Sequence, residues 1–287
     1  MRRRGRPVAK TFAYYPGCSL HASAREYDVS TRAVFSALGM DVKEIEGWVC
    51  CGASSAHPTD HLLALVLPAH ELQAASEMDR PVLVPCAMCY SRLKLTAQEL
   101  ERPGKKDEVG KALGKPLGKM PAVLHPMEAL REEEIPVKRP LGGLKVACYY
   151  GCLLVRPQGV VPGEDLENPQ GMDRIMARLG AQPVPWPFKN ECCGASMFLA
   201  KKDLVLRLSR RIVLQAQEAG AEALVVGCPM CHFNLDLAQR GTEHPLPVLY
   251  LTQAVGLAMG LPPQELLLER HFISPLPVLK GKGIVGG

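Results

Sequence analysis

The amino-acid sequence predicts an α/β protein with two pseudo-symmetric halves, each with a small parallel or mixed sheet flanked by helices. The observations behind this fold class are a repeated cysteine pattern, alternation of short apolar segments with longer amphipathic ones, and a length of 287 residues. Strand–helix alternation is typical of parallel sheets. Because this length is at the limit for one hydrophobic core, we expect two domains, residues 1–140 and 141–287.

In the first half, a short apolar strand within residues 11–18 is expected to end at Cys18. A helix over residues 24–38 follows, and Gly39 ends it. A loop then carries a Cys-Cys-Gly segment, and the apolar residues 81–84 form a buried strand before a Cys-x-x-Cys segment. This order of elements predicts a Rossmann-like half.

The second half repeats the order of the first. Helices are expected over residues 172–179 and 202–219, the latter because Leu204, Leu208 and Ile212 recur at helical spacing. A buried strand over 223–226 again leads into Cys-x-x-Cys. Between the halves, residues 102–118 are rich in Gly and Lys and aperiodic, which predicts an exposed linker at the end of the first domain.

Ten of the eleven cysteines form two copies of one pattern: a lone cysteine, a Cys-Cys-Gly and a Cys-x-x-Cys. The copies are Cys18, Cys50, Cys51, Cys86 and Cys89, and then Cys152, Cys192, Cys193, Cys228 and Cys231. Cys51 and Cys193 are 142 positions apart, as are Cys89 and Cys231. Two sets of five soft thiolates in register predict two metal-cluster sites.

The Cys-Cys-Gly segments favour a multinuclear metal cluster over a mononuclear zinc site. Adjacent side chains normally point to different faces, so both thiolates reach one centre only where the backbone turns sharply, which Gly permits. A mononuclear zinc site needs only four ligands, and the fifth thiolate fits a larger cluster. Zinc with a spare cysteine remains the alternative. Cys148, which the first half does not repeat, is interpreted as a buried small side chain on a strand.

Four further residues near the cysteines are candidates for substrate binding. His21 and His232 could donate a proton or a hydrogen bond beside the metal sites, and Arg156 and Lys189 could bind an anionic substrate. The alternative for each histidine is a surface or helix-capping residue, and for each basic side chain a solvated charge. The sequence leaves both interpretations open.

Composition and missing motifs exclude several functions. Aromatic content is 5% with no basic aromatic stretch, which argues against nucleic-acid binding. The net charge is +5, partly from Arg residues within positions 1–6; this segment is either a solvated tail or a contact for an acidic partner or anionic lipid. No secretory signal follows it, and the apolar run at 62–67 stops at Pro68. We expect a cytoplasmic protein without direct membrane insertion, and the lack of G-x-G-x-x-G predicts no flavin or NAD on this chain.

The motifs resemble those of the B-type catalytic subunit of heterodisulfide reductase, among the cysteine-rich proteins of the CCG type. The resemblance lies first in the Tyr-Tyr-Pro-Gly-Cys segment at 14–18, the Tyr-Tyr-Gly-Cys segment at 149–152 and Arg156-Pro157. It also lies in the Cys-Cys-Gly-Ala and Cys-x-Met-Cys segments, each of which occurs once in each half. It covers nearly the whole chain, and all ten cysteine positions are filled.

This resemblance implies two noncubane 4Fe-4S clusters, one on each five-cysteine set, that reduce a disulfide such as the CoM-CoB heterodisulfide. It further implies a partner similar to the C-type iron–sulfur protein of such reductases and, through it, one similar to their A-type flavoprotein. The competing hypothesis is an electron-transfer subunit of a succinate:quinone reductase-like, lactate-utilisation or sulfur-oxidising complex without disulfide turnover. A zinc-stabilised interaction protein is the third.

Overall fold

The structure is a computed structural model that describes residues 10–157 and 159–286. The basic segment at positions 1–6, interpreted above as a tail or a contact for an acidic partner, lies outside the described residues. Strands alternate with one or more helices along the described residues, as the sequence predicts.

The first half contains a four-stranded sheet in which every pairing is parallel, in the order β2-β1-β3-β4. Its central strands are buried, and helices pack on them. The elements are β1 (Thr11–Tyr14), α1 (Gly17–His21), α2 (Arg25–Ala37), β2 (Asp41–Glu44), α3 (Ala56–Thr59), α4 (His61–Glu77), β3 (Val82–Leu83), α5 (Ala87–Leu100), α6 (Lys105–Leu113), β4 (Val123–Leu124) and α7 (Pro126–Arg131).

The second half has the same architecture, a parallel sheet in the order β6-β5-β7-β8. Its elements are β5 (Lys145–Tyr149), α8 (Gly151–Val155), α9 (Gly171–Arg178), β6 (Gln182–Pro183), α10 (Lys202–Glu218), β7 (Ala223–Val226), α11 (Pro229–Leu237), β8 (Val248–Tyr250), α12 (Leu251–Ala258) and α13 (Leu276–Gly281), with 3₁₀ turns at Ala195–Phe198, Pro263–Leu266 and Leu268–Arg270. The predicted fold class is confirmed: two similar α/β halves, each with a parallel four-stranded sheet.

The two halves pack on each other through equivalent elements. Helix α2 packs on α12 and, by the same repeat, α9 packs on α7; likewise α5 contacts α8 and α11 contacts α1. At the first contact, the Tyr27 and Tyr250 rings stack 4.2 Å apart, and the Ser30 and Thr252 hydroxyls lie 2.7 Å apart. Such reciprocal contacts relate the halves by a pseudo-twofold axis, and one buried core continues through both.

One predicted segment is wrong in its secondary structure. Residues 102–118, expected to be an aperiodic exposed loop, contain α6 (Lys105–Leu113), which packs on α4. Left-handed glycines, Gly104 and Gly114, bound this helix, and only Val109 and Gly110 in it are buried. Val109 and the partly buried Leu113 are its only large apolar side chains, and one such pair is too short a pattern to reveal a helix. The domain boundary between residues 140 and 141 stays a prediction.

The other expected helices agree with the structure to within one residue. The apolar run at 62–67 lies inside α4, which continues through Pro68 instead of ending there. Within residues 10–157 and 159–286, no helix is both long enough and apolar enough to cross a bilayer.

Candidate metal centre

The cysteines of each set lie at the carboxyl edge of a sheet. Strands β1 and β5 lead into Cys18 and Cys152, which lie in the short helices α1 and α8. Strands β3 and β7 lead into Cys86 and Cys228, which are the N-cap residues of α5 and α11. The carboxyl ends of parallel strands meet at one edge, where ligand sites of open α/β sheets form. Each half therefore brings its own set together.

The glycine after each cysteine pair is required by the backbone. Gly52 has φ of 71°, and a Cβ there would lie 2.7 Å from the Ala56 Cβ. Gly194 has φ of 93°, and a Cβ there would lie 2.7 Å from the Val205 Cγ2 and 3.2 Å from the Val205 Cα. The glycine allows the cysteine pair to turn back close against the following helix.

We expect Gly194→Ala to lower the free energy of unfolding by about 2 to 4 kcal/mol, since it adds left-handed strain to a clash with Val205. Gly220→Ala is the matched control: Gly220 has φ of 79°, but a Cβ there would meet nothing within 4 Å. Urea denaturation of both variants separates the clash from the strain. Equal midpoints for the two would contradict a close-packed turn at Gly194.

Sulfur atoms lie close together within each set. The Cys51 and Cys89 Sγ atoms are 3.2 Å apart, and the equivalent Cys193 and Cys231 Sγ atoms are 3.6 Å apart. Between the halves, the hydroxyl of Ser19, next to Cys18, lies 4.0 Å from the sulfur of Met230, which stands between Cys228 and Cys231. Cys228 also raises the pKa of Cys86. The two sets therefore meet at the junction of the halves.

Hydrogen bonds among the thiols stabilise one thiolate of each pair and raise the pKa of its partner, as they do for Cys50, Cys89, Cys152 and Cys231. The Cys50 and Cys89 thiols lower the pKa of Cys51 to about 3, and the Cys152 thiol lowers the pKa of Cys192 to about 6. The Cys231 thiol likewise lowers the pKa of Cys193 and of Cys228. Because the thiolate is the metal-binding form of cysteine and thiolates are soft ligands, sulfur atoms this close together fit a site for a soft cation.

Two polar residues that the sequence analysis missed flank the sets at equivalent positions. Asn234, three residues after Cys231, is fully buried, and its Nδ2 donates to the Cys193 and Ala195 carbonyls at 3.3 and 2.9 Å. Arg92, three residues after Cys89, places its positive charge near Cys51 and lowers that pKa further. Helical spacing from the last cysteine was the available signal.

His125 is a third missed residue, and it joins the two sets. Its Nε2 lies 2.9 Å from the Pro85 carbonyl oxygen and 2.8 Å from that of Gly227, the residues before Cys86 and Cys228. Nδ1 accepts from the Met127 amide at 3.1 Å, so Nε2 carries the proton and donates to both carbonyls. No sequence motif pointed to this residue, because its partners lie 40 and 102 positions away.

The four predicted substrate-binding residues have different surroundings. Exposed His21 lies beside the Trp48 ring. Arg156 is close enough to Cys192 to lower its pKa and lies 3.7 Å from Glu191. Lys189 is buried, and its Nζ donates to the Pro169 carbonyl at 3.0 Å and to Asp173 at 2.9 Å. This geometry gives Lys189 a structural role within the second half.

His232 is also buried within the protein core. Its ring stacks 4.2 Å from that of Tyr250, and its Nε2 lies 3.0 Å from the Val248 carbonyl oxygen and 3.3 Å from Nδ1 of His271. Burial lowers the pKa of His232 well below its usual value. A neutral, packed imidazole fits a structural network. The predicted roles of His21 as a donor and of Arg156 as an anion-binding residue stay predictions.

Cys148 differs from the cysteines of the second set in its surroundings. It is buried in β5, where burial first and the nearby Asp173 next raise the pKa of its thiol. The main-chain carbonyl of Cys148 accepts from the Trp186 indole at 3.1 Å. These surroundings support its interpretation as a small core side chain.

A family model described as CCG, cysteine-rich domain, matches residues 12–94 and again residues 146–236. The chain belongs to the CCG cysteine-rich domain family. The matched regions contain all ten cysteines of the two sets, so the family signature and the site coincide. The cysteine-rich family points to iron–sulfur clusters.

Two relatives extend over nearly the whole chain. A protein of Wolinella succinogenes, named 8-methylmenaquinol:fumarate reductase membrane anchor subunit, is 36% identical over 93% of this chain and 98% of its own length. A protein of Methanosarcina mazei, named as the B subunit of a ferredoxin:CoB-CoM heterodisulfide reductase, is 28% identical over 92% of this chain and 94% of its own length. The resemblance to the B-type subunit family of heterodisulfide reductases is therefore confirmed.

A solved structure shares the fold at low identity. A hypothetical protein from Helicobacter pylori superposes with a TM-score of 0.76 at 14% identity over 92% of this chain. The match covers 52% of that longer chain, so this chain spans about half of it. At this identity the likeness supports the fold alone.

Proposed function

We propose that this chain is the catalytic iron–sulfur subunit of a heterodisulfide reductase-like complex, which reduces a disulfide or a related sulfur substrate at two noncubane 4Fe-4S clusters. The observation that carries the proposal is the meeting of two complete five-cysteine sets at one junction. There the His125 Nε2 lies 2.9 Å and 2.8 Å from the carbonyl oxygens of Pro85 and Gly227, which directly precede Cys86 and Cys228. Five thiols a set exceed what a single zinc ion uses.

The chain's own residues supply ligands and charge. Cys18, Cys50, Cys51, Cys86 and Cys89 would hold one cluster, and Cys152, Cys192, Cys193, Cys228 and Cys231 the other. When bound, the clusters would supply one-electron transfer. Reduction of a disulfide to two thiols consumes two electrons and two protons, so one electron from each half would balance the reaction.

Charge beside the sets would orient an anionic substrate. Arg92 lies near Cys51 in the first half and Arg156 near Cys192 in the second, each close enough to lower the pKa of that thiol. Anionic groups on either end of a disulfide would find one guanidinium at each half. His21, exposed and three residues after Cys18, would be the proton donor.

The proposal includes a multisubunit complex. A C-type iron–sulfur protein would deliver electrons to this chain, and an A-type flavoprotein would supply that partner with them. Both are needed in this proposal because the sequence of this chain has no dinucleotide-binding motif. We place this assembly in the cytoplasm.

The second candidate is an electron-transfer subunit without disulfide turnover. It is favoured by the relative of Wolinella succinogenes, which is 36% identical and is named for quinol:fumarate reduction and not for a disulfide. In that role the two cysteine sets would relay electrons between a quinol and a partner subunit.

We expect anaerobically purified protein to contain about eight irons and about eight acid-labile sulfides per chain, because each five-cysteine set would hold four of each. Metal and sulfide analysis measures this content directly. Stoichiometric zinc with little iron would contradict both candidate functions and would leave the zinc-stabilised interaction protein.

The two candidates differ in one assay. With a viologen reductant, a disulfide reductase subunit loaded with iron should oxidise the dye on addition of a disulfide substrate and release two thiols for each disulfide. An electron-transfer subunit with the same iron content should not. Thiol release no greater than that of iron-free protein would reject disulfide turnover.

A further inference from the structure

The loop that follows the second cysteine pair ends in an exposed apolar tip, defined as Met197, Phe198 and Leu199. Leu199 is 96% exposed and Met197 is 46% exposed. Phe198 packs edge-on against Phe233, whose ring contacts the half-exposed Phe272. The tip thus packs on a small aromatic cluster at the surface and not in the core.

The equivalent loop of the first half is polar, which marks the tip as a property of the second half alone. At the 142-residue offset, Met197, Phe198 and Leu199 correspond to Ser55, Ala56 and His57. The two loops follow the same Cys-Cys-Gly turn, so the fold does not require apolar side chains at these positions.

A basic face lies next to the tip. Helix α10 begins at Lys202. From the tip to the end of α10, the exposed residues are Ala200, Lys201, Lys202, Asp203, Arg207, Arg210, Arg211, Leu214 and Glu218. Five of these nine are cationic and two are acidic, and all five cations lie in the part nearest the tip. The corresponding start of α4, from Thr59 and Asp60 to Leu65, has no Lys or Arg.

We propose that the apolar tip and the basic face dock this chain on an anionic lipid bilayer, with Leu199 and Met197 entering the interface. This goes beyond electron transfer or disulfide turnover, and it revises the expectation of no direct membrane insertion. Because the loop begins one residue after Cys193, docking brings the second cysteine set to the membrane surface.

Charge and shape favour a bilayer over a protein partner. Exposed Lys and Arg side chains next to an apolar segment are attracted by anionic lipid headgroups, while the apolar tip gains by leaving water. A stable protein interface buries about 800 Å² on each partner in a matching surface. The exposed Met197 and Leu199 offer much less apolar area, whereas fluid acyl chains need no matching shape.

The test is cosedimentation of the anaerobic, iron-loaded full chain with vesicles of phosphatidylcholine alone or mixed with phosphatidylglycerol. We expect binding to the anionic vesicles, weakened by salt. Leu199→Glu should reduce partitioning about tenfold or more, and Lys201→Glu with Lys202→Glu should do the same. Leu199→Phe should bind like wild type.

Leu63→Glu is the matched control, since Leu63 is 40% exposed on α4 of the first half, where the basic face has no counterpart. It should leave partitioning unchanged. Every variant keeps the Arg residues within positions 1–6, so their attraction to lipid is common to all, and iron content reports correct folding. None of these readouts depends on turnover, so the proposed function can fail independently.

Equal partitioning of wild type and Leu199→Glu, or no binding to either kind of vesicle, would overturn the proposal. Capture of an acidic protein partner that depends on Leu199, without vesicle binding, would also overturn it and would assign the surface to a protein interface.

Discussion

Cys193→Ala is expected to lower the iron content from about eight to about four atoms per chain and to abolish turnover. Cys193 is buried, and its Sγ lies 3.6 Å from that of Cys231, so an alanine there removes a ligand from the interior of the second set. A metal–thiolate bond also contributes to folding. We therefore expect a lower melting temperature as well, measured by circular dichroism under anaerobic conditions.

Cys148→Ala is the matched control for this prediction, because Cys148 is a buried cysteine in the same half. It should keep full iron content and normal turnover, and the small cavity should cost about 1 kcal/mol or less. If Cys148→Ala lost iron while Cys152→Ala kept it, the second ligand set would be wrong by one residue.

The fold was predictable because each half repeats one order of elements. The cysteine repeat aligns each element of one half with its equivalent in the other. The clear apolar strand at 223–226 therefore supported the prediction of its equivalent, the two-residue strand β3. Helix α6 was not predicted because only Val109 and the partly buried Leu113 contact the core from it. Periodicity detects a helix only where several apolar side chains face the core.

The candidate site was predictable as far as the cysteines, because soft ligands in a doubled pattern have few other uses. Its surroundings were not. Buried charge such as that of Lys189 looks the same in sequence as solvated charge, and its pairing with Asp173 depends on tertiary contacts. The junction residue His125 depends on strands that are distant in sequence, so no local pattern encodes its role.

His125→Ala is expected to lower the free energy of unfolding by about 3 kcal/mol or more. The variant leaves the buried carbonyls of Pro85 and Gly227 without this donor and removes the side-chain cap of α7. Because those carbonyls directly precede Cys86 and Cys228, we also expect faster loss of iron from both sets to a chelator. Urea denaturation and chelator kinetics measure the two effects.

The stability difference between wild type and His125→Ala should shrink as the pH falls below about 6.5. Burial lowers the pKa of His125 in the folded protein, against weaker opposing effects of the Gly227 carbonyl and Glu128. The unfolded chain therefore binds a proton that the folded chain excludes, and the stability that wild type derives from neutral His125 is lost toward acid pH. His244→Ala, at an exposed position, is the control and should change neither stability nor iron loss. A His125→Ala variant as stable as wild type at neutral pH would show that the two cysteine sets are held together without this histidine.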